Sequence, residues 1–307
     1  MKTALVLGAA GGVGGATARA LIAHGWTVRG LTRSPREGDG IDWIPGDAMD
    51  RDAVMAAAEG VDAIVHAVNP PGYRDWEKLA LPMLENSIAA ALANDARLAL
   101  PGTIYNFDPA TSPVIGSDSP QRPGTRKGAI RVQMEQAIER SGAKAVILRA
   151  GDFFGPRPGN SWLSQGLVGP GKRVGRVMVP GKKGVGHAWA YLPDVAETFA
   201  RLLDKGDALP RFARYHFAGD WDPDGTELTA AIGRAVGRDI KTWRMPWALL
   251  PVVGLFNPTM HEMVEMRPFW EHPVRLDNAS LVAAIGEEPH TPLGEAMRTT
   301  LAALGCH

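Results

Sequence analysis

Over the first 150 residues, short apolar runs rich in Val, Ile and Leu alternate with longer amphipathic stretches. The apolar runs predict strands near Ala4–Leu7, Val28–Leu31, Ile41–Ile44, Ala63–Val68, Leu98–Leu100 and Ala145–Leu148. The stretches between them predict helices near Gly12–His24, Arg51–Ala58, Trp76–Ala93 and Lys127–Ser141. Buried runs alternating with helix-period segments are the pattern of βαβ units around a parallel sheet. After Arg149 the rhythm breaks into a Gly- and Pro-rich stretch from Gly155 to Gly186. A helix at Pro193–Leu203 and a strand at Tyr215–Ala218 follow, and this pair is expected to complete the sheet. From Asp220 onward, short helices and turns rich in Trp and Pro predict a smaller lobe over one sheet edge. The expected architecture is therefore α/β: a doubly wound parallel sheet in 1–150, completed by about 190–218, with 151–189 and 219–307 as a smaller C-terminal lobe.

Composition narrows the class. With 307 residues the chain can build one large domain and an attached lobe. Its 45% hydrophobic and 21% charged residues exclude disorder, collagen and coiled coil. Lys plus Arg and Asp plus Glu both number 33, so no global field draws nucleic acid or an anionic membrane, and neither partner is expected. The single Cys306 leaves no disulfide framework and no cysteine metal cluster. The apolar run after Met1-Lys2-Thr3 meets Gly8 too soon for a signal-peptide core. The most lipid-like segment, Trp247–Phe256, is ten residues long and broken by Pro251 and Gly254, which suits a buried or interfacial helix better than a span. A reducing, cytoplasmic home is expected.

The sharpest chemical signal follows the first strand. Gly8-Ala9-Ala10-Gly11-Gly12-Val13-Gly14 carries Gly-x-x-Gly-x-x-Gly between a strand and a helix. In that context Gly8 permits the turn, Gly11 lets the backbone approach a pyrophosphate, and Gly14 lets the helix pack on the strand, so a dinucleotide's phosphates meet the positive helix N-terminus. A Rossmann-type dinucleotide site is expected, with Ala10, Gly12 and Val13 also lining it. After the second strand the chain reads Leu31-Thr32-Arg33-Ser34-Pro35-Arg36, with no acidic residue where an NAD site holds one. Arg33 can clamp a 2′-phosphate, so NADP (NADPH) is the expected cofactor.

These residues resemble the extended and atypical short-chain dehydrogenase/reductases, including the NAD-dependent epimerase/dehydratase type. The resemblance rests on the glycine loop, Gly46-Asp47, His66-Ala67-Val68-Asn69, Leu148-Arg149-Ala150-Gly151-Asp152-Phe153-Phe154-Gly155-Pro156 and Tyr191-Leu192-Pro193-Asp194-Val195-Ala196. It implies that Asp47 and Ala48 lie by the adenine and that Ala67, Val68 and Asn69 line the ribose. When Leu100-Pro101-Gly102-Thr103-Ile104-Tyr105 is laid on the family's fifth-strand pattern, its usual Ser/Thr becomes Pro101, and on the next helix, anchored on Glu135, its Tyr-x-x-x-Lys becomes Lys127 and Arg131. That replacement is similar to the isoflavone and pinoresinol-lariciresinol reductase branch, where a lysine at the place of Lys127 is the general acid/base. A lysine desolvated beside a cationic ring would exchange protons near neutrality. A charge-disfavoured first-turn residue with no chemical role is the alternative. Tyr105, after the fifth strand, is the second catalytic candidate, or a tyrosine that buries its ring.

An NADPH-dependent oxidoreductase is expected, reducing a carbonyl, an activated double bond or a benzylic ether, as are a non-catalytic NADP(H) sensor similar to NmrA-like regulators and, third, a nucleotide-sugar epimerase or dehydratase. The stretch Phe153–Pro193 has no acidic residue but holds Arg157, Lys172, Arg173, Arg176, Lys182 and Lys183, read either as an anionic-substrate site or as a solvated hairpin. Trp162, Trp189, Trp221, Trp243, Trp247 and Trp270, with Phe153, Phe154 and Phe256, could line an apolar cleft or simply close a small core. His261 and Glu265 share a helical face without the second histidine of a zincin, so no metal is expected. The resemblance also implies a homodimer paired through the helices at Trp76–Ala93 and Lys127–Ser141.

Overall fold

The computed structural model describes residues 1–70, 75–159, 161–254 and 258–307. In chain order the first half runs β1 (Thr3–Leu7), α1 (Gly12–Ala23), β2 (Thr27–Thr32), β3 (Asp42–Pro45), α2 (Arg51–Ala57), β4 (Ala63–His66), α3 (Trp76–Ala93), β5 (Arg97–Thr103), β6 (Val114–Ile115), α4 (Arg126–Ser141) and β7 (Ala145–Ala150). Then come β8 (Asp152–Phe154), β9 (Arg176–Val179), β10 (His187–Tyr191), α5 (Leu192–Asp204), β11 (Phe212–His216), β12 (Asp220–Asp222), α6 (Glu227–Val236) and β13 (Lys241–Arg244). The chain closes with α7 (Leu250–Gly254), α8 (Pro258–Val264), α9 (Pro268–Glu271), β14 (Arg275–Leu276), α10 (Ala279–Ile285) and α11 (Leu293–Ala303).

The main sheet has the order β11-β7-β5-β4-β1-β2-β3 and is parallel throughout. Its central strands β1, β4, β5 and β7 are buried on both faces because helices cover both. Ala4 and Val6 enter a core shared with Leu21, Val195 and Phe199 of α1 and α5. Leu5 and Leu7 enter the opposite core, with Val54, Leu84 and Met134 of α2, α3 and α4. The period-2 alternation of side chains sends successive residues to opposite layers. The strand order reverses between β1 and β4, which opens a crevice at their C-terminal ends, where doubly wound sheets bind ligands.

The predicted strand at Tyr215–Ala218 is found as β11, pairing with β7 at the sheet edge. Arg97 secures that edge from the other end of the strands. The residue is 5% exposed, and its guanidinium donates to the carbonyls of Ala145, Gly206, Leu209 and Pro210.

Between Gly155 and Gly186, where loops were expected, β9 pairs in parallel with β13. A further small sheet, β12-β10-β8, extends from the end of β7. Around it Leu163, Val177 of β9, Trp189 of β10, Leu228 of α6 and Met297 of α11 form a separate core. Such strands of two to five residues are too short for periodicity to reveal. Among the described residues no helix is long and apolar enough to cross a membrane.

Candidate functional site

The glycine loop closes a tight turn, with Gly11 N–H donating to Gly8 O at 2.8 Å. Gly8 has φ +90°, and a Cβ on Gly14 would stand 2.3 Å from Gly8 O and 3.1 Å from the Ala67 methyl. Any side chain at Gly14 would push α1 off the strands, so the sequence obtains its helix–strand contact from the missing Cβ. The N-cap of α1 is Gly11, with no side-chain cap and no acidic residue in the first turn. The helix therefore presents backbone N–H donors and its positive end to a ligand, which suits an anionic pyrophosphate.

From this loop a cleft of about 240 Å³ runs along the strand ends. Gly12, Val13, Ala67, Val68 and Asn69 line it, together with Pro101, Thr103, Tyr105, Arg131, Asp152 and Phe153. His66 lines it too, 2% exposed, with Nδ1 bonded to Ser87 Oγ at 2.8 Å and Nε2 buried without a partner among the described residues. Burial and the nearby Arg131 charge push its pKa down to about 3, so the ring is neutral. Arg131 donates to Asn69 Oδ1 at 2.9 Å and lies over the Trp76 ring at 4.8 Å.

The remaining cofactor candidates sit at the outer end. Arg33 is exposed, 3.9 Å from Asp47, while Asp47 Oδ1 accepts from Met49 N–H at 2.9 Å. Ala48 is buried, and its carbonyl accepts from Asn86 Nδ2 at 2.9 Å, which anchors this turn to α3. Arg36 lies over the Trp43 ring at 5.7 Å. Ala10 and Gly11 are exposed in the glycine loop.

The two catalytic candidates part company. Tyr105 lines the cleft, its ring 5.1 Å from that of Phe269. Lys127 is not among the residues that line it. The lysine is 1% exposed; its amine bonds the Glu262 carboxylate and, at 2.7 Å, Glu265 Oε2, while its backbone N–H donates to Glu265 Oε1 at 2.9 Å. Two carboxylates at the N-terminus of α4 offset the dipole penalty that a first-turn lysine would otherwise incur. Arg126 joins the group through Glu262 at 3.2 Å. The lysine thus fastens the segment that carries α8 to α4.

Tyr105, Ser161 and Trp162 also line a second cavity of about 320 Å³. Its other walls include Met178, Trp243, Met245, Leu250, Met260, Met263 and Met266, with Glu262 as the one acidic group among the described residues. Behind it, Trp162 packs on Trp270 at 5.1 Å and on Trp247 at 6.3 Å. Trp189 and Phe154 are buried in the core, Trp221 packs beneath Gly186, and Phe256 lies outside the described residues. Lys172, Arg173, Arg176, Lys182 and Lys183 are exposed and line neither cavity; Arg157, also exposed, pairs with Asp39 at 3.7 Å. The solvated reading of this basic stretch is the one its placement matches.

The His261 side chain lies outside the described residues, and Glu265 is engaged by Lys127. Among the described residues no group of three or more His, Cys, Asp or Glu is placed to hold a metal ion.

A sequence profile of the NAD dependent epimerase/dehydratase family matches residues 4–216, from β1 to the last strand of the main sheet. The chain belongs to this family. The fold agrees. The UDP-glucose 4-epimerase of Brucella ovis, solved with NAD, superposes with a TM-score of 0.77 at 15% identity, covering 99% of each chain. The UDP-glucose 4-epimerase of Bifidobacterium longum, solved with NAD+ and UDP, gives 0.76 at 13% identity, covering 99% of this chain and 97% of the other. In sequence, the L-arabinose 1-dehydrogenase (NAD(P)(+)) of Haloferax volcanii is 34% identical over 173 residues, which span 49% of this chain and 67% of that protein.

Within the family frame, Asp152 and Thr103 were not singled out as site residues. Asp152 lies in the Leu148–Pro156 segment, where a polar residue just past a strand end is the available signal. Thr103 lies in the Leu100–Tyr105 stretch whose alignment puts Pro101, two residues earlier, at the hydroxyl position.

Proposed function

We propose that the chain is an NADPH-dependent oxidoreductase that reduces a carbonyl, an activated double bond or a benzylic ether in a small apolar or aromatic substrate. The observation that carries this reading is the junction at Tyr105, where the cleft below the glycine loop meets a cavity walled by methionine and tryptophan. Methionine and aromatic walls suit flat or branched hydrocarbon bodies and offer little to a phosphate.

The residues fit a dinucleotide: Gly8, Ala10, Gly11, Gly12, Val13 and Gly14 would cradle its pyrophosphate. Asp47 and Ala48 would border the adenine, and Ala67, Val68 and Asn69 the ribose. Arg33 has room to turn from Asp47 to a 2′-phosphate, and this supports NADPH over NADH. When bound, the nicotinamide would supply or accept hydride. Tyr105, which lines both cavities, would hold a proton for the substrate on its hydroxyl. Lys127, saturated by two carboxylates, serves to hold α8 beside the cavity.

A second reading, a non-catalytic NADP(H) sensor, is favoured by that same engagement of Lys127 away from the cleft. Calorimetric titration with NADPH and with NADH at one salt and pH tests the cofactor, and a screen of aromatic carbonyl compounds tests turnover. The oxidoreductase reading expects tight, selective NADPH binding and turnover that Tyr105→Phe lowers at least tenfold. Binding without turnover on any of them gives the sensor; no binding of either cofactor overturns both.

A further inference from the structure

The cleft holds a carboxylate to which the proposed function assigns no role. Asp152 begins β8, immediately past the end of β7, and is the one acidic residue lining the cleft among the described residues. Its Oδ2 accepts from His187 Nε2 at 2.7 Å, and its side chain is 15% exposed. His187 is buried on β10, with its ring stacked flat on Trp270 at 3.9 Å and 7° and tilted against Trp189 at 4.9 Å.

The neighbouring strands set this pairing, since β8 and β10 run parallel with Asp152 beside Trp189. The imidazole is fixed between indoles, so the carboxylate it holds is fixed too. This is the way a buried aromatic layer orients a polar group without using a charge of its own. No described residue donates to Asp152 Oδ1, although the residue borders the cleft.

An ionised carboxylate offers acceptors only. Among the described residues, the other charged ones bordering the two cavities are Arg131 and Glu262. Arg131 donates to Asn69 on the α4 side of the cleft, and Glu262 is matched by Lys127 and Arg126. We infer that Asp152, oriented by His187, forms a hydrogen-bond-accepting subsite that takes the hydroxyl or ammonium group of an otherwise apolar ligand and turns away carboxylates and phosphates. This rests on reading the cleft and the methionine-lined cavity as one ligand site, and it extends that reading from the ligand's body to its polar head. Desolvated like charges in such a cleft repel, whereas a neutral or cationic donor replaces the water it displaces.

Three probes with one apolar body separate the possibilities: 4-tert-butylbenzyl alcohol, 4-tert-butylbenzylamine and 4-tert-butylbenzoate, each titrated calorimetrically into the full chain. The expected order places the alcohol and the amine at least tenfold tighter than the benzoate. Asp152→Asn, nearly isosteric, should erase that preference by improving the benzoate and weakening the amine. His187→Phe, which keeps the stack and removes the donor, should weaken the alcohol several-fold, and His187→Gln should restore part of it. A benzoate that binds wild type as well as the amine does, a preference unchanged in Asp152→Asn, or no binding by any probe would overturn the subsite. The probe order is read without NADPH, so failure of the cofactor titration would remove the oxidoreductase reading while leaving this result standing.

Discussion

Replacing Lys127 by methionine separates a fastening role from a chemical one. The substitution keeps the apolar stem and deletes the ammonium, leaving Glu262 and Glu265, with side chains 16% and 20% exposed, facing each other without their shared cation. Breaking a buried ion pair from one side costs about 3–5 kcal/mol, because the stranded charge keeps its desolvation penalty. The pKa of Glu265 reads the same interaction. Burial pushes it up, but hydrogen bonds from the Lys127 side chain and amide hold it below the ordinary carboxylate value. A depressed carboxylate pKa contributes stability above that ordinary value and loses it as pH falls through the folded value, so the gain is fully present at neutrality. For 307 residues, an unfolding entropy of roughly 2.1 cal/mol/K per residue turns a 4 kcal/mol loss into a melting temperature lowered by about 6 °C. Thermal melts of wild type and Lys127→Met at pH 7.5, with NADPH affinity measured beside them, check it. The expected result is a destabilised protein whose glycine loop still binds cofactor. An unchanged melting temperature would refute the fastening role, and unchanged stability with abolished turnover would return the amine to the chemistry.

Three further outcomes follow from other parts of the molecule. Gly14→Ala places a methyl 2.3 Å from Gly8 O, so cofactor affinity should fall at least a hundredfold; wild-type affinity by titration would contradict the packing. Arg33→Asp should weaken NADPH at least tenfold and NADH little, and equal losses would deny Arg33 the 2′-phosphate. In His216, Nε2 accepts from Arg149 and Nδ1–H donates to Ile115 O; burial and the Arg149 charge push its pKa down to about 4, beside about 3 for His66. Both rings stay neutral in the folded chain while the unfolded chain protonates them near pH 6.5, so stability is full above that pH and drains below it. The slope is about 1.4 kcal/mol per pH unit per ring, and a urea midpoint that stays flat between pH 6.5 and 5 would show that the rings are not neutral.

The sequence disclosed the parts of the fold that repeat. The central strands β1, β4, β5 and β7 bury both faces, so their apolar runs are nearly continuous, and the glycine loop is local in sequence because its turn, helix start and strand end are local in space. The fate of Lys127 was hidden for the opposite reason: its partners lie 135 and 138 residues away, in a segment whose short helices carry no strong periodicity. A first-turn lysine reads as exposed or catalytic until the carboxylates that neutralise it are placed. Asp152 and His187, 35 residues apart, likewise become a pair only through the β8–β10 register. Glu135 shows the same limit. The sequence marks it only as an anchor for alignment, yet it is 1% exposed and gathers Asn106, Gln121, Arg149 and Arg214.

The sheet edge has a consequence for the order in which the molecule can be built. Strand β7 ends at Ala150, but its outer neighbour β11 starts at Phe212, and the carbonyls that satisfy Arg97 include those of Gly206, Leu209 and Pro210. A chain emerging from the ribosome at about 5–20 residues per second leaves β7 as a bare edge, and the Arg97 guanidinium short of acceptors, for several seconds. During that interval the segment that becomes β8, β9 and β10 is already outside. The seven-stranded sheet is therefore closed late, by residues made after β8, β9 and β10, and a chain truncated before Phe212 should expose β7 and aggregate rather than yield a free-standing sheet.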